Sequence, residues 1–497
     1  EPLHLEHLRE FFETGVYSSS AYGPATSLLG HLANVAIGVE TWGTVVATAE
    51  AYSVRHLAVA GLGALGVSAV AIISRVLFGS WQWAVVGAAM LVSIPLWVGH
   101  SMFNIKDIPL AAGYTMVTAA LVLAVSRVWT LRARISLGLV LLIAGCSVAI
   151  GTRPASAALV AVSSLMALVL WLAMVFPARN SRTRWRWLVG LTVGIGVVTA
   201  AVLATFGPIL WGSIERSRDF PWEGWNLYGG ERIESRPGVF ALAGVTVSYL
   251  PIIIVVLSMV GVALGVSRLL RAMVTRQRLR PAVAGITLVV VQALGAFLAV
   301  ALFDPVIYDG GRQILFVIPA LAVLATFGFY VLLEFLRNLP HYKTTSGVLA
   351  GVVAVALIPP MVSQVQLFPY NYAFYNVVAQ GSGVNGSWET DYWGSSIREA
   401  AEVFAPGDPV TCRSVGDLNF NVGSLEPCEA LAPYVGDSAV ATKSELRDNH
   451  FWVIRIERSL ASYGPISSDN CEFHSQVTRN LRGEDVSMAW VYQCEDR

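Results

Sequence analysis

About ten apolar stretches run between residues 57 and 366, and the gaps between them alternate between arginine-rich and arginine-poor. A stretch of roughly 20 apolar residues is long enough to cross a bilayer as a helix, the form in which a segment satisfies its own backbone hydrogen bonds in hydrocarbon. Only 13% of residues are charged and the mean hydropathy is +0.61, so the chain reads as a polytopic α-helical membrane protein. Spans are predicted near 57–79, 82–99, 108–127, 135–150, 155–176, 187–207, 241–266, 281–302, 313–336 and 345–363.

Short loops rich in Arg and Lys stay on the cytoplasmic side. The gaps with Arg127, Arg132 and Arg134, with Arg179, Arg182, Arg184 and Arg186, and with Arg268, Arg271, Arg276, Arg278 and Arg280 lie two spans apart, as a serial bundle requires. Arg337 and Lys343 continue the series. Gaps 100–107, 151–154, 208–240 and 303–312 then face outside, and so does everything after residue 364. This divides the chain into a membrane-embedded unit, 1–366, and a small extracytoplasmic α/β unit, 367–497, with a short helix over Ser396–Phe404 and strands over Pro409–Arg413, Phe451–Ile456 and Val486–Tyr492.

Cysteine placement agrees with the charge rule. Cys146 sits within a span, while Cys412, Cys428, Cys471 and Cys494 fall in the tail assigned to the oxidising side. Four cysteines there read as two disulfides, and Cys412–Cys428 with Cys471–Cys494 is the most local of three pairings; four unpaired thiols are the alternative. Lys106, Lys343 and Lys443 are the only lysines among 33 basic residues, an arginine bias typical of GC-rich bacterial genomes, which places the bundle in a cytoplasmic (inner) membrane. Net charge is zero and no basic patch points to nucleic acid.

Residues 21–45 are only moderately apolar, contain Gly23-Pro24, and read as an interfacial or re-entrant segment. The chain opens at Glu1 in a polar, His-containing stretch that reads as the middle of an outer loop, with a first helix expected before it.

Ionisable groups near hydrocarbon are costly and mark functional positions. The first outer gap holds His100, Asn104, Lys106 and Asp107, followed by Pro109. Asp107 suits the N-cap of the next helix and Pro109 its first turn, so capping is one reading; Lys106, the sole lysine in a short outer gap, also suits a phosphate. Arg153 and Arg312 each stand alone at a helix end on the side the positive-inside rule disfavours, Arg312 beside Tyr308 and Asp309. Either they grip phosphate or they pair with an acid for packing. The long outer loop carries Trp222, Trp225 and Tyr228 with Glu223, Glu231 and Glu234, which fits membrane anchoring and glycan binding equally. His4 and His7 with Glu1 and Glu6 match no strong zinc spacing, so no cofactor is assigned and a divalent cation stays open.

In these loops the sequence resembles the GT-C superfamily of polyprenyl-phosphate-sugar-dependent membrane glycosyltransferases, specifically the family 39 protein-mannosyltransferase-like group and its aminoarabinose-transferase-like relatives. The matching stretches are Glu1-Pro2-Leu3-His4, Tyr22-Gly23-Pro24, Asn104-Ile105-Lys106-Asp107, Tyr308-Asp309-Gly310-Gly311-Arg312 and Asp391-Tyr392-Trp393-Gly394. The resemblance implies an inverting transfer in which a first-loop carboxylate deprotonates an acceptor hydroxyl that attacks the anomeric carbon and expels a lipid phosphate. The family's catalytic Asp would precede Glu1.

The residues lead nearby on their own. Nucleotide sugars are cytosolic and every candidate group faces outside, so the donor there is a lipid-linked sugar and the acceptor a protein, lipid or polysaccharide. Glu1 and Asp107 are the candidate catalytic acids; Lys106, Arg153 and Arg312 the phosphate ligands; His4, His100, Asn104, Trp222, Trp225, Tyr228, Tyr308 and Asp309 the substrate contacts. A secondary transporter, or a scaffold or sensor with an outer domain, are the readings from other classes. The first would need polar groups at the bilayer midplane, and the second leaves the outer cations unexplained.

Overall fold

The computed structural model describes residues 2–17, 22–126, 129–175, 225–234, 236–275, 279–403, 410–411, 433–434, 439–440, 450–456 and 471–495. Two short helices come first, α1 (Pro2–Thr14) and α2 (Ala25–Ala36). At 12 residues α2 is too short to cross a bilayer. It packs on the long α3 (Ala49–Phe78) through a buried ion network. Glu40 accepts from Arg55 and from the Val46 amide at 2.8 Å, and His31 Nδ1 lies 2.7 Å from its other oxygen.

Among the described residues, eight helices are long and apolar enough to span a membrane, or nine if one bent pair counts as a span. That pair is α4 (Trp81–Val92) and α5 (Pro95–Ser101), which replace the continuous span expected at 82–99 and meet at 77°. Pro95 is the cause: it lacks an N–H and forces Ile94 out of helical geometry, to φ −90° and ψ 106°. The stretch expected at 241–266 is broken in the same way, by Pro251, into α9 (Val239–Ser248) and α10 (Ile252–Val274). The remaining described spans follow expectation within a few residues. They are α6 (Asp107–Val125), α7 (Leu131–Thr152), α8 (Ala157–Val175), α11 (Pro281–Phe303), α12 (Ile318–Leu336), entered through a 3-10 turn at Arg312–Val317, and α13 (Tyr342–Leu367). The span expected at 187–207 lies outside the described residues.

Helix α6 is the axis of the bundle. Of its apolar window 89% is buried, against 17% for α7 and α13, whose outer faces are left for lipid. It meets α7 backbone to backbone. A Cβ at Gly113 would come 2.7 Å from the Ala149 nitrogen, and one at Gly145 would come 2.7 Å from the Gly113 carbonyl oxygen, so only glycine permits the approach. That contact sets the first residue of α6 against the last turn of α7.

Ahead of α9, strands β1 (Trp225–Tyr228) and β2 (Glu231–Glu234) form a hairpin within the long gap 208–240. Its two-residue Gly229-Gly230 turn has positive φ at both positions, as a type I′ turn needs, and was the signal that sequence reading passed over. After α13 come a short helix, α14 (Ile397–Ala401), and a five-stranded mixed sheet of order β4-β3-β5-β7-β6. Its strands are β3 (Val410–Thr411), β4 (Ala439–Val440), β5 (His450–Ile456), β6 (Cys471–Leu481) and β7 (Glu484–Glu495). Strand β6 was not anticipated: it is an edge strand whose polar residues hide the alternation a half-buried strand shows. Cys471 is disulfide-bonded and lies opposite Cys494 in the β6–β7 register. Cys146 is a free thiol, and Cys412 and Cys428 lie outside the described residues.

The tail is fastened to the bundle. Arg479 of β6 donates to the Phe368 carbonyl at 2.9 Å and to Glu399 Oε1 at 3.0 Å, and Tyr370 donates to Glu399 at 2.8 Å. Burial raises the Glu399 carboxyl, but the hydrogen bonds from Arg479 and Tyr370 outweigh it and hold the group below its ordinary value.

Candidate functional site

Asn104 begins the site. Its Oδ1 accepts from the amides of Lys106, at 3.0 Å, and Asp107, at 2.8 Å, so Asn104 and not Asp107 supplies the capping oxygen for α6. Asp107 is thereby freed to point inward, where it is 1% exposed. Its Oδ1 accepts from Arg153 at 2.6 Å, and its Oδ2 accepts from Asn104 Nδ2 at 3.0 Å and from Arg312 at 3.3 Å. Arg153 is the C-cap residue of α7 and Arg312 opens the turn into α12, so three helix ends converge on one carboxylate.

Arg312 is further held by Asp309, whose Oδ2 accepts from its Nε at 2.9 Å. Positive φ at Asp309 and Gly310 folds that loop back so the pair can form. Burying charges is tolerable only when they are paired and hydrogen-bonded, and this cluster meets the condition. It also leaves a remainder. Lys106, Arg153 and Arg312 face Asp107 and Asp309, three cations against two carboxylates.

The extra charge sits on Lys106, which has no carboxylate partner among the described residues. Aromatic faces hold it instead: Nζ lies 4.8 Å from the Tyr22 ring centroid and 5.9 Å from that of Trp393. Arg153 lies 5.3 Å from the same Tyr22 ring, and Arg312 sits between Tyr308, at 5.0 Å, and Trp393, at 4.7 Å. Burial alone would raise the Tyr22 phenol, yet Lys106, Arg153 and Arg312 together pull it below its ordinary value. His4 packs edge-on to Tyr22 at 5.0 Å, and its Nε2 has no hydrogen-bond partner among the described residues. Burial, and after it the Lys106 charge, keeps His4 neutral.

Behind Asp107 lies a brace. Asn104 Nδ2 is 3.0 Å from His100 Nδ1, and His100 Nε2 is 2.8 Å from the Tyr392 hydroxyl. Because the Asn104 oxygen is committed to two amides, its nitrogen must face His100; Nδ1 accepts and Nε2 carries the proton. His100 and Asn104 are fully buried, and Asn104 links the His100 ring to Asp107 Oδ2.

The structure thus brings together Lys106, Asp107, Arg153, Tyr308, Asp309, Arg312, His4, His100 and Asn104. Glu1 and Trp222 lie outside the described residues. Trp225 falls in β1, and Tyr228 packs edge-on to Trp388 at 5.1 Å, at a different place from the ion cluster. That second place is a cavity lined by Asn226, Leu227, Leu242, Val245, Tyr249 and Tyr375. Tyr22, Tyr392 and Trp393 belong to the ion cluster and were not singled out as site residues in the sequence, where nothing local ties them to Lys106. Among the described residues no group of three or more His, Cys, Asp or Glu side chains is placed to hold a metal ion.

No protein-family model matches the sequence, and no curated protein matches it. Among solved structures the chain is similar to the crystal structure of ArnT from Cupriavidus metallidurans in the apo state, with 16% sequence identity and a TM-score of 0.44 over 98% of this chain and 92% of that one.

Proposed function

We propose that this protein is an integral membrane glycosyltransferase of the GT-C type, which moves a sugar from a polyprenyl-phosphate donor to an acceptor hydroxyl on the extracytoplasmic side. The observation that carries this reading is Lys106. A single ammonium with no carboxylate partner among the described residues, half-buried beside a neutralised ion cluster at a helix end, suits a ligand with one negative charge at the membrane boundary. A lipid phosphodiester is such a ligand.

In the proposed reaction the acceptor oxygen attacks the anomeric carbon with inversion, while the bond from that carbon to the phosphate oxygen breaks. The electron pair leaves with the phosphate, and Lys106 stabilises the charge that develops there. Arg153 and Arg312 sit close enough to contribute, but both are tied to Asp107. Both Asp107 oxygens are occupied in turn, which suits a positioning role and not proton abstraction. The base is then sought in the acidic N-terminal segment, of which Glu1 is the candidate. Tyr308, Asp309 and His4 are assigned to the wall around the phosphate. Trp222, Trp225 and Tyr228 are assigned to the acceptor side.

The arginine-rich gaps support the outward orientation, since Arg132, Arg134, Arg268 and Arg337 lie at the helix ends opposite Asp107. The same orientation puts the 367–497 unit outside, with Cys471–Cys494 and Cys412–Cys428 as its proposed disulfides.

Lipids from a strain lacking the gene test the reading. A polyprenyl-phosphate sugar that accumulates there, together with an acceptor lacking that sugar, is the expected result. An unchanged pool of lipid-linked sugars and unaltered envelope glycans would refute it.

A further inference from the structure

Trp393 is presented to the ion cluster by a turn that many hydrogen bonds hold. The Asp391 carboxylate is fully buried and accepts from the Tyr372 hydroxyl at 2.6 Å and from the amides of Gly394 at 2.7 Å, Ser395 at 3.2 Å and Ser396 at 3.0 Å, as well as from the Ser396 hydroxyl. No cation pairs with it among the described residues; backbone amides offset its charge and fix the turn in doing so. Gly394, at φ +76°, closes the turn in a conformation that side chains resist. On the other flank the Tyr392 hydroxyl is anchored to His100. The indole between these anchors has little freedom. It packs 5.7 Å from the Phe103 ring and lies over both Arg312 and Lys106.

Lysine carries its charge on a flexible four-carbon stem, and among the described residues no ion pair confines Lys106. Two rings do so instead, Tyr22 from the N-terminal segment and Trp393 from the tail. We propose that Trp393 is a positioning residue that sets where the Lys106 ammonium lies, so that the membrane-embedded site is incomplete without the turn at the head of the tail. This rests on the reading of Lys106 as the phosphate anchor, and the experiment below separates the two.

Lys106, Lys343 and Lys443 are the only lysines, so acylation by a soluble N-hydroxysuccinimide ester can be followed residue by residue by mass spectrometry in the full-length protein in detergent. Trp393→Ala is expected to speed labelling of Lys106 relative to Lys343 by roughly threefold to tenfold, and Trp393→Phe, which keeps a ring face, to return it most of the way. Affinity for undecaprenyl phosphate in the same micelles is expected to fall by a similar factor in Trp393→Ala and to recover in Trp393→Phe. Unchanged labelling in Trp393→Ala overturns the proposal. Faster labelling with wild-type lipid affinity also overturns it, since the ring would then only cover the lysine. A wild-type protein that binds no undecaprenyl phosphate overturns the phosphate reading, and the labelling comparison still decides the contact between Trp393 and Lys106.

Discussion

Alanine at Lys106 and alanine at Arg312 remove the same charge from different surroundings. Lys106 pairs with no acid among the described residues, so its loss leaves no described carboxylate behind. Arg312 is buried and bonded to both Asp107 and Asp309; its loss leaves Arg153 as the remaining cation on Asp107 and takes from Asp309 the guanidinium it accepts from. Breaking a buried ion pair costs about 3–5 kcal/mol, whereas a charge-assisted contact to a phosphate contributes about 1.5–3 kcal/mol, or roughly tenfold to a hundredfold in affinity. Lys106→Ala is therefore expected to lose donor use by that factor at an unchanged melting temperature. Arg312→Ala is expected to melt markedly lower as well. Donor titrations beside thermal unfolding in detergent check both, and a Lys106→Ala protein with wild-type donor use would remove the lysine from the site. The sequence showed these cations because lone bases are conspicuous in outer gaps. It did not show that Asp107 neutralises two of them, nor that Trp393, far along the chain, roofs the third; such facts depend on which helix ends meet.

Between elements, the α6–α7 contact decides whether Asp107 and Arg153 meet. Gly145→Val places branched carbon against the Gly113 carbonyl and Val117, and overpacking of this kind costs about 1–3 kcal/mol. The expected outcome is a folded but less stable protein with strongly reduced transfer, read by unfolding and activity on one preparation; wild-type activity would show that the close approach is not needed. The attachment of β6 to the bundle carries a pH signature. Glu399 has its carboxyl lowered in the folded state, so its contribution is present above the ordinary glutamate value of 4.5 and is lost as pH falls through the lower folded value. Protease cutting between residues 367 and 397 should be steady from neutral pH down to about that value and rise below it, and Glu399→Gln should abolish the step. Hydropathy located these elements well because a bilayer demands long apolar runs. It missed the breaks at Pro95 and Pro251, since a window that counts apolar residues does not see a missing N–H.

For the molecule as a whole, one polarity underlies every assignment. Arginine-rich gaps lie at one set of helix ends, and the ion cluster, the β1–β2 hairpin and the five-stranded sheet lie at the other. With the sheet end outside, protease added to intact spheroplasts should cut the tail, and maleimide labelling of the denatured tail should require prior reduction; a tail protected until lysis would invert the topology. The bundle was legible in charge and hydropathy, and in the tail so were β3, β5 and the middle of β7, while β4 and β6 were not. The packing of the tail turn against the membrane site was not, because it rests on contacts between residues such as His100 and Tyr392 that are remote in the chain. The central claim is that this outer-facing site breaks the bond between a sugar and a lipid phosphate, with Lys106 stabilising the leaving group. Purified protein in liposomes, given polyprenyl-phosphate sugars with a radiolabelled sugar and an envelope extract as acceptor, tests it most directly. Label should move into the extract as free polyprenyl phosphate appears, at a rate that falls at least tenfold in Lys106→Ala. Label that stays on the lipid with wild-type protein, or moves equally fast with Lys106→Ala, would contradict it.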